Sequence, residues 1–595
     1  MASIVASATV LSKILGLVRE MVVAGTFGVG AAVDAYGYAF VVPGFFMAIL
    51  GGINGPFHSA MAAALSRRDR SVGPAIVERV SWLVGTGLFA ASVVLIGFAE
   101  PIVDLIAPGL LAGGQASAAT RAVAIAQLRI LAPCTVLAGW IGIGFGALSA
   151  VDSFWLPSLS PALSSLAVIA AVLAFNAIPE GIAGSLGLSA VEVGGAALAI
   201  GTVLGAAVQW IIQLVEQNRM GMGIHFPKLG AAQGRIGFGA MGSLNDAQRE
   251  DASRGVDEVV AVLGPATVAS GMMQIATYTD LYFASFIPCA AAALGYANLL
   301  VQAPVGILSS SLLVPLLPEF SRLAKAAGLA GEVSTSPSES EEAAWEDGRV
   351  ALRAKVRQAL VLTALCSLPI VITFMPMALP IVRIVFERRA FDAAATQLVS
   401  AILACYAGGA TAYLLRDVLV RVFYAMGDGT TPFRISMLGI AVNVIGDFLL
   451  VQHFGAPGLV LATVSVNVIS VAAMLYALRG RLGTPTATER EENGSRTRLV
   501  VSLAFIVAAC TVAAHVTCNA LGLIAAPLPA LLPLAPALSG LIVQCACVGV
   551  ASALAIVLYV VLVASVVDVP ESRWIRAQLV SRLRPGAPAP PPQLK

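Results

Sequence analysis

Long runs of apolar residues, each about the length of a membrane-spanning helix, alternate along the chain with short polar connections. A helix needs about 20 apolar residues to cross a bilayer, and this rule predicts about fourteen spans. The first two are expected near 4–24 and 35–63. The others are expected near 80–99, 121–149, 155–176, 190–215, 259–288, 290–317, 356–378, 394–426, 434–452, 455–478, 497–518 and 537–567. The pattern therefore predicts an all-α, polytopic membrane protein.

The composition agrees with this fold class and argues against several functions. Of the 595 residues, 58 % are hydrophobic and 11 % are charged, whereas a soluble globular domain carries about 25 % charged residues. The net charge of +2 gives no reason to expect a nucleic-acid partner. The eight cysteines lie in apolar runs without metal-ligand spacing, so we expect no metal site. Because no P-loop, hydrolase or transferase motif is present, we expect a protein that is not an enzyme and needs no cofactor.

Lysine and arginine are concentrated in the connections that follow even-numbered spans. The positive-inside rule then places both termini and these connections in the cytoplasm. The connection after the ninth span departs from the rule, because it carries Arg383, Arg388 and Arg389. The first span shows no A-x-A cleavage site at its end, so we expect no cleaved signal peptide.

The order of spans and polar stretches predicts the domain organisation. Two groups of six spans are followed by a final pair, an arrangement typical of two pseudo-symmetric lobes that face each other. The predicted segments are a first lobe at 1–216, a largely flexible cytoplasmic connection at 217–256, a second lobe at 257–480 with a disordered insertion at 330–350, a linker with the last two spans at 481–568, and a disordered cytoplasmic tail at 569–595. Within the connection, we expect the part around His225 to pack at the membrane surface.

Three stretches carry a specific family resemblance. The pattern S-K-x-L-G-x-x-R-E from Ser12, followed by F-G-V-G-x-x-x-D-A-Y-x-x-A-F-x-x-P, resembles the start of the MurJ/MviN family of lipid II flippases. That family belongs to the multidrug/oligosaccharidyl-lipid/polysaccharide exporter superfamily. Residues 51–60 resemble the cyanobacterial-type branch of the MurJ/MviN family. Residues 280–321 resemble the seventh and eighth helices, and V-L-x-R-x-F-Y-A-x-x-D-x-x-T-P within 416–432 resembles the tenth. The resemblance covers about 12–481.

The resemblance implies a flippase that moves lipid II, a lipid-linked disaccharide-peptide, across the membrane by alternating access. It implies membrane lipids as further partners, a monomer, and a location in the bacterial plasma membrane, or in the plastid envelope if the source is a green alga or plant. Without a P-loop or ATPase domain, transport would be driven by an ion gradient, by the membrane potential or by downstream consumption of the product. The alternative is export of another polyprenyl-linked glycan or of a small organic cation by the same fold. A membrane-embedded glycosyltransferase or ligase would require a large external catalytic loop, and the odd-numbered connections are short. A non-transporting scaffold would be indifferent to Arg19 and Asp34.

Two charged residues in the first two spans are the main candidates for a substrate cavity. Arg19 matches a cavity arginine of the family and is expected to bind the diphosphate. Asp34 matches the acidic residue at the start of the second helix and is expected to orient Arg19 or to respond to protons or cations. The alternative is that Arg19 snorkels to the interface and that Asp34 caps a helix.

Neutral polar residues complete the candidate cavity, because this chain has Gly25, Met47 and Ala48 where many family members have basic residues. The residues expected to hydrogen-bond the sugar or the diphosphate are Asn54, His58, Asn298 and Gln302. Their alternative role is interhelical bonding that holds the bundle together. The residues expected to have gating or interfacial roles are Arg388, Arg389, Arg416 and Arg421; for Arg388 and Arg389 the alternative is a solvated charge run.

Overall fold

The fold is built from helices that belong to two compact units. The computed structural model describes residues 2–52, 56–177, 189–223, 228–229, 236–237, 244–313, 315–329, 339–482, 487–526 and 536–566. One unit comprises Met1–Ala293 together with Arg388–Ala395, and the other comprises Leu294–Glu387 together with Thr396–Lys595. Within the described ranges, the sole strand pairing is a two-residue antiparallel ladder between Lys228–Leu229 (β1) and Ile236–Gly237 (β2).

Twelve described helices begin and end within the first unit. They are α1 (Ala2–Phe27), α2 (Ala31–Ala39), α3 (Val41–Ile49), α4 (Pro56–Ser66), α5 (Gly73–Gly97), α6 (Ala99–Ile106), α7 (Gly109–Ala112), α8 (Gln115–Leu131), α9 (Cys134–Ala150), α10 (Trp155–Asn176), α11 (Ala190–Arg219) and α12 (Asp246–Ala284). Helix α9 is buried along almost its whole length and packs against α3, α4, α5 and α11. Its glycines allow this close packing, because a Cβ on Gly142 would collide with the carbonyl oxygen of Leu50.

The remaining described helices lie mainly in the second unit. They are α13 (Ala290–Leu308), which continues as a π-helical turn at Ser309–Leu313, α14 (Leu316–Ala326), α15 (Glu339–Phe374), α16 (Ala378–Phe386), α17 (Ala393–Ala425), α18 (Thr430–Phe454), α19 (Ala456–Leu482), α20 (Ala487–Ala525) and α21 (Pro536–Val566). The first turn of α13 belongs to the first unit. The last two helices pack against each other and against α15, where the Tyr559 hydroxyl donates to the carbonyl oxygen of Leu365 at 2.9 Å.

The all-α, polytopic architecture predicted from the apolar runs is confirmed. Among the described residues, ten helices are long and apolar enough to cross a membrane, and two bent pairs, α2–α3 and α8–α9, each qualify as one span. Helices α1 and α12, with 26 and 39 residues, are also long enough to cross. By length and apolar composition together, the described helices give up to twelve spans, whereas about fourteen were predicted.

Two predicted spans are broken by proline. The second span is divided among α2, α3 and α4, and the axes of α2 and α3 differ by 53°. Pro43 has no N–H group to donate to the carbonyl oxygen of Ala39, so the helix breaks at Phe40. Pro133 separates α8 from α9 in the same way and leaves a bend of 40°.

The prediction of a largely flexible connection at 217–256 is wrong for its last part. Helix α12 begins at Asp246, and Asn245 caps it by accepting the Gln248 N–H at 2.8 Å. Arg68, which follows the end of α4, donates to Asp251 at 3.1 Å and to Glu258 at 2.8 Å. These two ion pairs tie the first turns of α12 to the end of α4. The segment around His225 and the tail at 569–595 lie outside the described residues.

The prediction of a disordered insertion at 330–350 is also wrong for the part that is described. Helix α15 begins at Glu339, so 339–350 is helical, whereas 330–338 lies outside the described residues. The glutamates and alanines of this stretch favour helix. Trp345 anchors it, because its ring covers Gly328, where a Cβ would approach the ring to 2.7 Å.

Candidate functional site

Arg19, the residue expected to bind a diphosphate, is paired with its neighbour on α1. Its Nε and Nη2 atoms donate to Glu20 Oε1 at 3.0 Å and 2.5 Å. The side chains of Arg19 and Glu20 remain 35 % and 23 % exposed. Adjacent helical residues do not stack on one face, and the sequence analysis therefore did not single out Glu20. An anionic ligand of Arg19 would have to replace this carboxylate.

Asp34 lies on α2 and contacts the start of α13. Its Oδ1 atom accepts the Ala292 N–H at 3.0 Å, and the backbone N–H groups of Cys289 and Ala291 also bond to the carboxylate. The side chain is buried, with 5 % of its surface exposed. A carboxylate at this position satisfies N–H groups that have no partner within the helix and complements the helix dipole. Among the described ion pairs, Arg19 bonds to Glu20 and none joins Arg19 to Asp34.

Neutral hydrogen bonds hold α2 in the position that places Asp34. Tyr36 shares a hydrogen bond of 3.0 Å with Thr202 of α11. Gln127 of α8 donates from Nε2 to the carbonyl oxygens of Ala32 and Gly195, both at 3.0 Å. Helix α2 is therefore fixed between α8 and α11.

The turn that carries Arg388 and Arg389 packs on the end of α1. The Ala390 N–H donates to the carbonyl oxygen of Gly25 at 3.2 Å. Gly28 has φ +60°, and a Cβ there would collide with the carbonyl oxygen of Ala390. Glycine is thus required in the F-G-V-G stretch by both the backbone conformation and the close approach. Arg388 is half-buried, and Arg389 is exposed with φ +49°.

The neutral cavity candidates lie in different surroundings. His58 of α4 shares a hydrogen bond of 2.9 Å with Ser149 of α9, so it joins two helices. Asn298 and Gln302 lie four residues apart on α13 and are both exposed, which places them on one helical face. Asn54 lies outside the described residues.

Arg416 and Arg421 contribute to hydrogen bonds of the second unit. Arg416 donates to Ser436 of α18 at 3.1 Å. Arg421 donates to Asp417 at 3.3 Å, and Asp417 also accepts the Ser309 hydroxyl at 3.1 Å. These bonds link α17 to α18 and to the π-helical turn that follows α13. Neither arginine contacts Asn298 or Gln302 through a hydrogen bond in the part of the chain that the structure describes.

Asp428 closes the turn between α17 and α18. Its carboxylate accepts the backbone N–H groups of Thr430 and Thr431 at 3.1 Å and 3.0 Å, both threonine hydroxyls, and Arg481 at 2.8 Å. Burial by itself would raise the pKa of Asp428. The bonds from Thr431 and Thr430 and the charge of Arg481 outweigh it and lower the pKa to about 2. The charged form of Asp428 therefore stabilises this turn.

Asp428→Asn is expected to lower the stability of the purified protein at neutral pH by about 1–3 kcal/mol, because a charge-assisted network is lost. The depressed pKa means that this contribution is complete above the ordinary pKa of 3.8 and disappears as the pH falls toward about 2. Thermal unfolding measured from pH 7 downward should show the wild type and the variant converging in that range. Substitution of the exposed Asp347 by asparagine is the control. A difference that stays constant with pH would contradict the assignment.

Helix α18 holds a buried carboxylate that was not among the residues predicted from the sequence. Asp447 and Asn443 are 0 % and 1 % exposed. Asn443 donates to Asp447 at 3.0 Å and accepts the Thr463 hydroxyl of α19 at 3.4 Å. The signal was present in the sequence, because an aspartate within an apolar span is expensive to bury and marks a functional position by default.

A cavity of about 250 Å³ lies within the first unit, at the bend between α2 and α3. The other wall of this cavity is one face of α12. The lining residues are Gly37, Phe40, Val41, Gly44, Phe45, Gln274, Thr277, Tyr278 and Leu281.

Comparison with known proteins places these features in a family. The family described as "Lipid II flippase MurJ" matches residues 23–530 of the chain. A probable lipid II flippase MurJ of Synechocystis sp. is 43 % identical over 489 residues, which cover 81 % of each chain. The lipid II flippase MurJ of Burkholderia cenocepacia is 27 % identical over 478 residues, covering 80 % of this chain and 81 % of the relative.

Solved structures show the same fold. A lipid II flippase MurJ in an inward closed conformation aligns with a TM-score of 0.63 at 18 % identity, covering 93 % of this chain and 97 % of that one. An inward-facing multidrug resistance MATE family transporter of the MOP superfamily gives a TM-score of 0.51 at 16 % identity, covering 81 % of this chain and 98 % of that one. The fold, the family match along most of the chain and the Synechocystis relative lead to one conclusion: this integral membrane protein belongs to the lipid II flippase MurJ family.

Proposed function

We propose that the protein translocates lipid II across the bacterial plasma membrane by alternating access. The observation that carries the proposal is the family match over residues 23–530. The substrate is a lipid-linked disaccharide-peptide, and its diphosphate and sugar-peptide head cannot cross hydrocarbon without a polar path. The protein is a transporter without catalytic groups or a bound cofactor, and it acts as a monomer.

Arg19 supplies the positive charge for the diphosphate in this mechanism. In the described arrangement its guanidinium is occupied by Glu20 but is still partly exposed. A diphosphate oxygen that replaces the carboxylate preserves charge-assisted hydrogen bonds to the guanidinium. Without a ligand, the Glu20 carboxylate balances the charge of the guanidinium, so the empty site leaves no unpaired arginine at membrane depth. Glu20 would also displace the diphosphate at release.

Asp34 acts in this proposal by holding the start of α13 against α2. Loss of its bonds with the Cys289–Ala292 backbone would leave several helix N-terminal groups without acceptors. The contact is therefore a position at which α2 and the start of α13 could be held together or released. Asn298 and Gln302, exposed further along α13, would then offer amide groups to the head group. Arg388, Arg389, Arg416 and Arg421 would stabilise the turns and helix ends that move.

An ion gradient or the membrane potential is proposed to drive the cycle. Asp447 provides a carboxylate within a spanning helix where a coupling proton or cation would be bound. Its partner Asn443 offers a further oxygen. A change in the charge of Asp447 would alter the cost of burying it and so bias one conformation over another.

Rescue of a bacterial strain depleted of its own flippase tests the function. The protein is expected to restore growth and to restore the external accessibility of labelled lipid II. A matched assay with a different polyprenyl-linked glycan serves as the control for cargo. If the protein accumulates in the membrane and external lipid II stays at the depleted level, the cargo is another lipid-linked glycan or a small cation.

A further inference from the structure

The cavity in the first unit has walls that the fold shapes from both sides. The 53° bend between α2 and α3 lies at the cavity, where Gly37 and Gly44 add no side chain. A Cβ on Gly44 would approach the Phe40 ring to 2.8 Å, so the glycine lets this ring lie against the helix. The opposite wall is the face of α12 formed by Gln274, Thr277, Tyr278 and Leu281. Their spacing of three, four and seven residues from Gln274 is that of a single helical stripe.

The chemistry of the lining combines aromatic rings with uncharged polar groups. Phe40, Phe45 and Tyr278 supply three rings, and Gln274, Thr277 and the Tyr278 hydroxyl supply donors and acceptors. Gln274 and Tyr278 are half-buried and Thr277 is exposed. No aspartate, glutamate, lysine, arginine or histidine belongs to the described lining. The described lining therefore offers no charge to neutralise a phosphate, and it places its polar groups beside aromatic rings.

We infer that this cavity binds an uncharged N-acetylated sugar ring of the lipid-linked cargo, an inference that rests on the proposed function. A pyranose ring has apolar C–H faces that pack on aromatic rings and has hydroxyl groups at its edge. An acetamido group is the natural partner of the Gln274 amide, because each offers a donor and an acceptor. The volume of about 250 Å³ lies just below the roughly 300–1,000 Å³ of pockets for drug-sized ligands and suits a single ring. Diphosphate recognition at Arg19 and sugar recognition at this cavity are thus separate tasks.

Binding of two probes that differ by one sugar tests the inference. Undecaprenyl diphosphate and undecaprenyl-diphospho-N-acetylglucosamine are titrated into the purified full-length protein in nanodiscs, and the ratio of their dissociation constants gives the contribution of the sugar. In the wild type, the sugar is expected to tighten binding by about tenfold or more. Tyr278→Ala and Gln274→Leu are each expected to remove most of that factor and to leave the affinity for undecaprenyl diphosphate unchanged. Tyr282→Ala is the matched control, because Tyr282 lies one turn further along α12 and does not line the cavity.

Each other outcome has a defined meaning. The inference is overturned if the sugar adds no affinity in the wild type, if both probes weaken equally in the variants, or if Tyr282→Ala has the same effect. Unchanged binding of the sugar-free probe shows that the variants are folded. A wild-type protein that binds the sugar but does not translocate lipid II in vesicles would contradict the proposed function and leave the cavity assignment intact. Translocation of lipid II by a protein whose binding gains nothing from the sugar would support the proposed function and contradict the cavity assignment.

Discussion

Arg19→Ala is expected to abolish lipid II translocation while the protein still accumulates in the membrane. Arg19 is the first-span cation that is expected to bind the diphosphate, and the structure leaves its side chain 35 % exposed beside Glu20. Each charge-assisted hydrogen bond to a diphosphate contributes about 1.5–3 kcal/mol, so the loss of two corresponds to a fall in transport rate of about a hundredfold or more. Translocation by purified variants in vesicles measures the effect.

The control for Arg19 is another cation on the same helix. Lys13 is exposed six residues earlier on α1, and Lys13→Ala is expected to leave translocation near the wild-type rate. Glu20→Gln removes the partner of Arg19 and is expected to tighten undecaprenyl diphosphate binding by several-fold. Normal transport by Arg19→Ala would remove this residue from the mechanism, whatever the behaviour of Glu20→Gln.

Asp34→Ala is expected to produce the second largest loss, because the backbone N–H groups at the start of α13 lose their acceptor. Asparagine is a good helix cap and keeps one side-chain oxygen. Asp34→Asn is therefore expected to retain most of the transport that Asp34→Ala loses. Rescue of growth and vesicle assays on both variants measure the difference.

The pair of substitutions at Asp34 separates two roles for its carboxyl group. Capping requires an acceptor, which alanine lacks and asparagine provides. A proton- or cation-responsive role requires an ionisable group, which neither variant has. Equal inactivity of Asp34→Asn and Asp34→Ala would contradict the capping role and favour a role that depends on charge.

Periodicity and composition predicted the architecture because the bilayer requires long apolar helices. The apolar runs indicated about fourteen spans, and up to twelve of the described helices and bent pairs are long and apolar enough to cross a membrane. Breaks within spans were harder to predict, since Pro43 divides a span whereas α10 continues through Pro161. The composition of 339–350 predicted disorder, but this stretch is helical, because Trp345 packs on Gly328 and stabilises the helix.

The contacts of the candidate site depend on tertiary packing and could be predicted only in part. Arg19 and Asp34 stood out as charges in apolar spans. Their partners could not be predicted in the same way. Asp34 bonds to Ala292, which lies 258 residues later in the sequence. Glu20 directly follows Arg19, and adjacent side chains on an ideal helix do not face each other. Asp447 was visible as a charge in the eleventh span and should have been singled out by the same rule. The cavity at Phe40 required the bend between α2 and α3, which no periodicity encodes.

Transfer of fluorescent lipid II across vesicles that contain only the purified protein is the most direct test of the central claim. The account predicts time-dependent exposure of the lipid on the opposite leaflet, faster with an imposed cation gradient or membrane potential and lost in Arg19→Ala. Transfer no faster than in protein-free vesicles, under every gradient applied, would contradict it.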